Sequence, residues 1–237
     1  ILLVCRRDLL ASTLKRLSMF VLRAKAKLSD ASEEFALWGV AGVCASDLAP
    51  QALPWARVPL SDADLITLYP AQGQARAMWV GNPGQAPQGP ALSPALWLAG
   101  EVLSGVADVQ QATYEDFVPQ MLNHESVGGV NFKKGCYPGQ EVVARSQFRG
   151  TLKRRTYLLM SQEAIQAGQE VFHSGDASQP CGLVAQAASV DHGGHTYHLA
   201  LAALQTSAVP EGTLQLAQPG GASMKVLPLP YALLEDV

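Results

Sequence analysis

The residues best suited to chemistry lie in KKGCYPGQEVVAR, residues 133–145, where a cysteine stands between two lysines and a turn. The YPGQ sequence has proline at its second and glycine at its third position, the preference of a type II turn. The EVVARSQF sequence that follows is typical of a helix ending near Gly150. Cys136 is therefore predicted to stand just ahead of a helix N-terminus.

Cys136 has the features expected of a reactive thiol. The positive end of the helix dipole and the lysines at 133 and 134 favour the thiolate, the nucleophilic form of cysteine. The alternative is a small residue that fits a tight loop, and local sequence does not decide between them. Cys5, Cys44 and Cys181 lie in apolar surroundings and are predicted to be inert core thiols. No CxxC pair is present, so a reducing compartment, the cytoplasm or an organelle matrix, is expected.

Basic residues are concentrated in two segments of the chain. Residues 6–27 and residues 133–155 each contain seven basic residues and one acid, a net charge of +6 each, whereas the whole chain has a net charge of −3. Such segregation indicates one positive surface for an anionic partner if the segments converge in space. The alternative is two separate solvated faces.

The elements before the motif show helical and strand periodicity. Residues 1–5 are predicted as a strand, and Asp8 as the N-cap of a helix. In this helix Leu10, Leu14, Leu17 and Val21 recur at helical spacing, with Lys15 and Arg16 on the other side. DLITLYP and ARAMWVG are predicted strands joined by an AQGQ turn. PALWLAGEVLSGV is a predicted helix that buries Leu96, Ala99 and Leu103.

The composition of the chain changes at two places. Residues 81–94 contain seven Gly or Pro in fourteen positions, which predicts a linker or surface loop. After residue 150, short apolar segments alternate with turns rich in Gly, Pro, Asp or Ser, which predicts a small all-β barrel or sandwich. No apolar run approaches the ~18 residues of a membrane span, so no membrane partner is expected.

Other groups of residues give weaker indications of a functional site. His195 and His198 follow a Gly-Gly turn, but three-residue spacing on a strand points them to opposite faces, so no metal site is predicted. Trp38, Trp55 and Trp79 are predicted to be core residues. The run Lys153-Arg154-Arg155 is interpreted either as the exposed start of a strand or as part of an anion site.

The motif resembles the signature of the YgfZ family of folate-binding proteins. KKGCYPGQEVVAR followed by FRGTLKRR matches K-G-C-Y-x-G-Q-E at every specified position. Similarity also extends through FVPQMLNHESVGGVNF, WLAGEVLSGV and KRLSMFVLRAKAKL. The family is related to the glycine-cleavage T-protein, an aminomethyltransferase, and to mitochondrial iron–sulfur assembly factors of the Iba type. Its usual first quarter, before ILLV, is expected to be missing here.

The resemblance implies an α+β fold, a T-protein-like ring of three domains with a C-terminal β-barrel. Residues 1–150 would form the folate-binding region, incomplete at its start, and residues 151–237 the barrel. A tryptophan ahead of the motif contributes to the family's folate site, and Trp97 is its match. An indole face suits the flat pteridine of tetrahydrofolate.

The resemblance further implies an accessory protein that supports iron–sulfur cluster assembly or repair and, through it, tRNA modification. Iron–sulfur enzymes or assembly proteins, folate and tRNA are the candidate partners. The alternatives are a folate-dependent aminomethyltransferase or demethylase, which needs an acid/base group that no residue clearly supplies, and a nucleic-acid-binding module. The candidate site comprises Trp97, Lys133, Lys134, Gly135, Cys136, Tyr137, Gly139, Gln140, Glu141, Arg145 and Arg149.

Overall fold

The computed structural model describes residues 1–137, 139–148 and 152–234. The chain divides into two compact units. The first comprises Ile1–Leu68, Gln74–Ala91 and Val109–Gln111, and the second comprises Tyr69–Gly73, Leu92–Asp108 and the chain from Ala112 onwards. The predicted boundary after residue 150 stays a prediction.

The first unit contains two helices and most of a four-stranded sheet. Its elements are α1 (Arg7–Ser18), β1 (Ala36–Ala41), α2 (Val43–Leu48), β2 (Arg57–Pro59), β3 (Ala63–Ala71) and β4 (Gln74–Gly81), and the strand order is β1-β4-β3-β2. Gln72 and Gly73 connect β3 to β4 with φ of 48° and 76°, as a two-residue type I′ turn requires. The predicted hairpin is therefore confirmed.

The core of the first unit forms around Leu65 and Trp79, which are 0% and 6% exposed. Gly81 lies against the indole of Trp79, where a Cβ would collide with the ring. The absence of a side chain at Gly81 thus lets the largest residue of this core pack onto its own strand.

Two predictions for the N-terminal residues are wrong. Residues 1–5 form no strand and Ile1 is fully exposed, because an apolar run becomes a strand only when a neighbouring strand pairs with it. Asp8 is not the N-cap but lies in the first turn of α1, where its carboxylate accepts hydrogen bonds from the Gln111 amide and the Arg6 guanidinium, both at 3.2 Å. Leu9 is the buried residue of α1, while Leu10 and Leu14 are half-buried and Leu17 is exposed.

The second unit is built on a closed barrel of six strands. Two helices, α3 (Pro94–Leu103) and α4 (Gln140–Phe148), precede it in the chain. The strands are β5 (Arg154–Ser161), β6 (Glu170–His173), β7 (Gly182–His192), β8 (His195–Gln205), β9 (Leu214–Leu216) and β10 (Ser223–Leu227), in the order β10-β5-β8-β7-β6-β9. The structure thus confirms a mixed α+β protein with a C-terminal barrel.

Apolar side chains fill the barrel. Leu159, Val171, Val184 and Leu204 are completely buried in one cluster with Ala200 and Ala202. Small alanines on β8 leave room for the larger side chains of the facing strands, as close packing of a narrow barrel requires.

The helix α3 packs against β7 and β8 of the barrel. Its start is well specified, because Ser93 accepts a hydrogen bond from the Leu96 amide at 3.2 Å and Pro94 occupies the first helical position. The helix buries Ala99 and Val102, whereas Leu96 is 45% exposed, so the predicted buried face is wrong at Leu96.

No helix among the described residues combines the length and apolarity needed to cross a membrane.

Candidate functional site

A buried polar network involves the segment that precedes the KKGCYPGQE motif. The short 3-10 helix Pro119–Leu122 ends at Asn123, a fully buried residue in the left-handed conformation with φ of 57°. The side-chain amide of Asn123 donates through Nδ2 to the backbone carbonyl of Thr156 at 2.8 Å. Its Oδ1 accepts a hydrogen bond from the backbone N–H of Thr156 at 3.3 Å. Tyr231 donates its hydroxyl hydrogen to the carbonyl of Gly105 at 2.7 Å. The two hydrogen bonds between Asn123 and Thr156 thus fix the end of the 3-10 helix to strand β5.

A buried ion pair joins the same segment to strand β5. The Arg155 guanidinium donates to Glu125 Oε1 at 2.7 Å, and the two side chains are 8% and 0% exposed. Arg155 also donates to the carbonyl of Leu234 at 2.8 Å, which ties the C-terminal residues to β5. Glu125 Oε2 receives no hydrogen bond from the described residues. Arg155 is therefore a structural residue.

The turn that follows Cys136 has the predicted geometry. The Gln140 amide donates to the carbonyl of Tyr137 at 3.3 Å, closing a four-residue turn. Gly139 has φ of 84°, the value that the third position of a type II turn requires. Helix α4 begins at Gln140, so Cys136 lies four residues before the helix, as predicted. Pro138 lies outside the described residues.

The segment containing the motif, residues 131–148, is called the motif segment below. Cys136 is exposed, as are both lysines, Gly139, Glu141 and Arg145. The Lys134 ammonium lies 4.5 Å from the centre of the Tyr137 ring, a cation–π contact that holds this lysine beside the turn. The Tyr137 amide donates to Gln140 Oε1 at 3.2 Å, so Gln140 braces the turn from the helix side.

The cationic residues of the candidate anion site separate into different environments. Lys153 is exposed and Arg154 is half-buried, but Arg155 is buried against Glu125 and is unavailable to an external anion. The interpretation of the whole run as an exposed strand start or an anion site is therefore wrong at Arg155. Arg149 lies outside the described residues. The convergence of the two basic segments stays a prediction.

The tryptophans do not all occupy the predicted positions. Trp97 lies on α3 and is half-buried, and its role as a folate residue stays a prediction. Trp79 is a core residue as predicted, but Trp38 and Trp55 are 49% and 47% exposed. Trp38 lies on the edge strand β1, where its indole donates to the carbonyl of Gln85 at 3.0 Å. Most residues of β1 are exposed or half-buried, and which face of a strand is covered depends on tertiary packing that local sequence does not reveal.

The cysteines also differ from one another. Cys181 is buried in the barrel, and burial raises the pKa of its thiol above the ordinary value, as expected of an inert core residue. Cys44 is half-buried and Cys5 is exposed, so the prediction of a core position is wrong for Cys5. Within the described residues, no group of three or more His, Cys, Asp or Glu side chains could hold a metal ion.

Sequence reasoning missed the buried residues that support the motif. Gln120 is fully buried and donates to the carbonyl of Val143 at 2.6 Å, which joins the 3-10 helix to α4. Gln147 is the buried residue of α4. Nothing in the local sequence marks Gln120 and Gln147 as buried, and only their contacts in the fold show it.

Comparison with known proteins gives one clear relationship. No family model matches the chain. The tRNA-modifying protein YgfZ of Klebsiella pneumoniae (strain 342) is 30% identical to this chain over an alignment 251 residues long. The alignment covers 96% of this chain and 72% of that protein. This similarity spans both units and includes the motif segment. The chain therefore belongs to the YgfZ family.

Proposed function

We propose that this protein is a folate-binding accessory protein in the cytoplasm that supports iron–sulfur cluster assembly or repair and thereby tRNA modification. The observation that carries the proposal is the exposed thiol of Cys136, fixed by a type II turn ahead of α4, in a chain of this family. The relative's name, a tRNA-modifying protein, supports the link to tRNA.

The surroundings of Cys136 suit contact with another macromolecule. A thiol on an exposed turn is accessible to a protein-bound cluster or to a partner, which a core thiol such as Cys181 is not. The turn itself is fixed by two hydrogen bonds between Tyr137 and Gln140, and Cys136 directly precedes it in the chain. In this proposal Cys136 is the reactive residue, and the surrounding motif residues position it.

The residues present are compatible with a folate. Trp97 is half-buried, so part of its indole is accessible for stacking on a pteridine. Exposed Lys133, Lys134 and Arg145 suit the carboxylates of the glutamate tail. When bound, tetrahydrofolate would supply a one-carbon carrier. The proposal includes a T-protein-like ring, to which residues 1–150 contribute the folate-binding region and residues 151–237 the barrel.

Titration with tetrahydrofolate tests the folate site directly. Binding should quench tryptophan fluorescence in the parent protein, and Trp97→Phe should show less quenching and weaker affinity because a smaller ring face remains. Trp55→Phe is the matched control, since Trp55 is also a partly exposed tryptophan and is expected to leave the affinity unchanged. Equal affinity in Trp97→Phe and the parent would reject Trp97 as the folate residue.

A further inference from the structure

Helix α4 has the reverse of the usual distribution of polar and apolar residues. Its buried residue is the polar Gln147, whereas Val142 and Phe148 are 55% and 56% exposed. A helix on the surface of a protein normally places its apolar residues against the core. The exposed apolar residues of α4 therefore do not serve the packing of this unit.

Phe148 is part of an aromatic pair at the surface. Its ring meets that of Phe132 edge-on, with 5.5 Å between the ring centres and an angle of 71° between the planes. Phe132 is 37% exposed. The edge contact fixes the orientation of the Phe148 ring while leaving much of it accessible to a ligand.

A cavity of about 300 Å³, widely open to solvent, lies along the surface of the same helix. It is lined by Glu141, Ala144, Arg145 and Phe148, which lie on successive turns of one helix face. Ala144 is small, so the larger side chains on either side of it form the walls. The cavity combines an aromatic ring, a guanidinium and a carboxylate.

These groups match the chemistry of an unpaired nucleobase. Aromatic side chains stack on single bases of RNA, and carboxylates accept hydrogen bonds from the amino and ring N–H groups of base edges. A cavity of this volume is at the small end of ligand sites and suits one flat heterocycle. The described motif segment presents three basic side chains, Lys133, Lys134 and Arg145, which suit the adjoining phosphates.

We propose that this cavity holds one unpaired base of an RNA strand, with Phe148 stacking on the base and Glu141 accepting hydrogen bonds from its edge. Guanine fits best, because its ring N–H and its exocyclic amino group are adjacent donors for one carboxylate. An acidic peptide fits less well, because its carboxylates are acceptors that cannot donate to Glu141 and it offers no flat heterocycle to Phe148. The inference rests on the proposed function, in which tRNA is the RNA concerned.

Binding of short single-stranded RNA tests this proposal. The probe is a fluorescent uridine heptamer with one central guanosine, titrated with the full chain at low salt. Phe148→Ala should weaken binding about tenfold or more, since stacking accounts for much of the affinity for a single strand. Phe148→Tyr should retain the parent affinity. Val142→Ala is the matched control, because Val142 is an exposed apolar residue of the same helix that does not line the cavity.

The carboxylate is tested by replacing guanosine with inosine, which lacks the amino group. The parent should bind the guanosine heptamer about fivefold or more tighter than the inosine heptamer, and Glu141→Gln should lose that preference. Circular dichroism and thermal unfolding establish that each variant is folded. Equal RNA affinity for Phe148→Ala and Val142→Ala, or no binding of the heptamer by the parent, would overturn the proposal.

The two proposals fail in different measurements. The folate titration and the assay of iron–sulfur enzymes in cells do not depend on the RNA heptamer. If RNA binding is absent but folate binding and enzyme activity depend on Trp97 and Cys136, the base site is wrong and the proposed function stands. If Phe148→Ala weakens RNA binding but folate does not bind, the base site stands alone.

Discussion

The barrel and the motif segment belong to the same unit but distribute their side chains in opposite ways. In the barrel, Leu159, Val184 and Leu204 are fully buried and the cluster around them is apolar. In the motif segment, Val142 and Phe148 face solvent while Gln147 is buried. Burial of apolar area stabilises a fold, so the barrel supplies stability that the motif segment does not. The exposed residues of the motif segment are therefore available for binding.

The junction between these regions combines features of both. Glu125 and Arg155 are charged, yet they are buried and paired at 2.7 Å. Such a pair contributes little net stability compared with apolar residues, but it leaves an uncompensated charge when one partner is removed. The pair thus fixes the approach to the motif in one arrangement.

The largest effect is expected when the junction loses one charge. Arg155→Met should lower the free energy of unfolding by about 3–5 kcal/mol, because Glu125 remains buried without its cation. Adding Glu125→Gln to the same protein should recover part of the loss. Urea denaturation measures both values. Arg57→Met is the control, since Arg57 forms an exposed pair with Asp64 and its loss should change stability little. Similar losses in Arg57→Met and Arg155→Met would contradict the special position of the buried pair.

The next largest effect on stability is expected for a core substitution in the barrel, compared with a substitution in the motif segment. Leu159→Ala removes a completely buried side chain and should cost about 2–5 kcal/mol in urea denaturation. Val142→Ala removes an exposed side chain of α4 and should change stability by less than about 0.5 kcal/mol. A large loss for Val142→Ala would show that the motif segment is part of the stabilising core after all.

A smaller effect depends on pH and on Tyr231. Burial raises the pKa of the Tyr231 phenol above its ordinary value of 10.0, with the Asn123 hydrogen bond acting in the opposite direction. The unfolded chain releases this proton near pH 10 while the folded chain retains it, so the contribution of Tyr231 is present below about pH 10 and is lost as the pH rises further.

The variant Tyr231→Phe lacks this titration and the hydrogen bond to Gly105. It should be less stable than the parent by about 1 kcal/mol at pH 8, and the difference should shrink above about pH 10. Denaturation at a series of pH values measures the difference. A constant difference through pH 11 would rule out the contribution of Tyr231 ionisation.

The sequence was informative where structure is set by neighbouring residues. The proline and glycine of YPGQ predict the turn because backbone conformation at these positions is local, and Gly139 has the required positive φ. The barrel was predictable because alternating apolar residues and frequent turns are repeated along the chain. The position of Cys136 ahead of α4 follows from the same local signals.

Features that depend on distant residues were not predictable. Residues 1–5 have strand-like composition, but a strand also needs a partner, which composition does not provide. Arg155 resembles the basic residues Lys153 and Arg154 before it in sequence, and only the fold brings it to Glu125, thirty positions away. Phe132 and Phe148, sixteen positions apart, also meet only in the folded chain.

The central claim is that Cys136 is a functional residue on a stable scaffold. The most direct measurement is iron–sulfur enzyme activity in a strain that lacks its own YgfZ-family protein and expresses either the parent or Cys136→Ala. The account predicts that Cys136→Ala folds with the stability of the parent, because Cys136 is exposed, but fails to restore the enzyme activity. Cys5→Ala, at another exposed cysteine, should restore it fully. Full restoration by Cys136→Ala would contradict the account and leave Cys136 as a small residue in a tight turn.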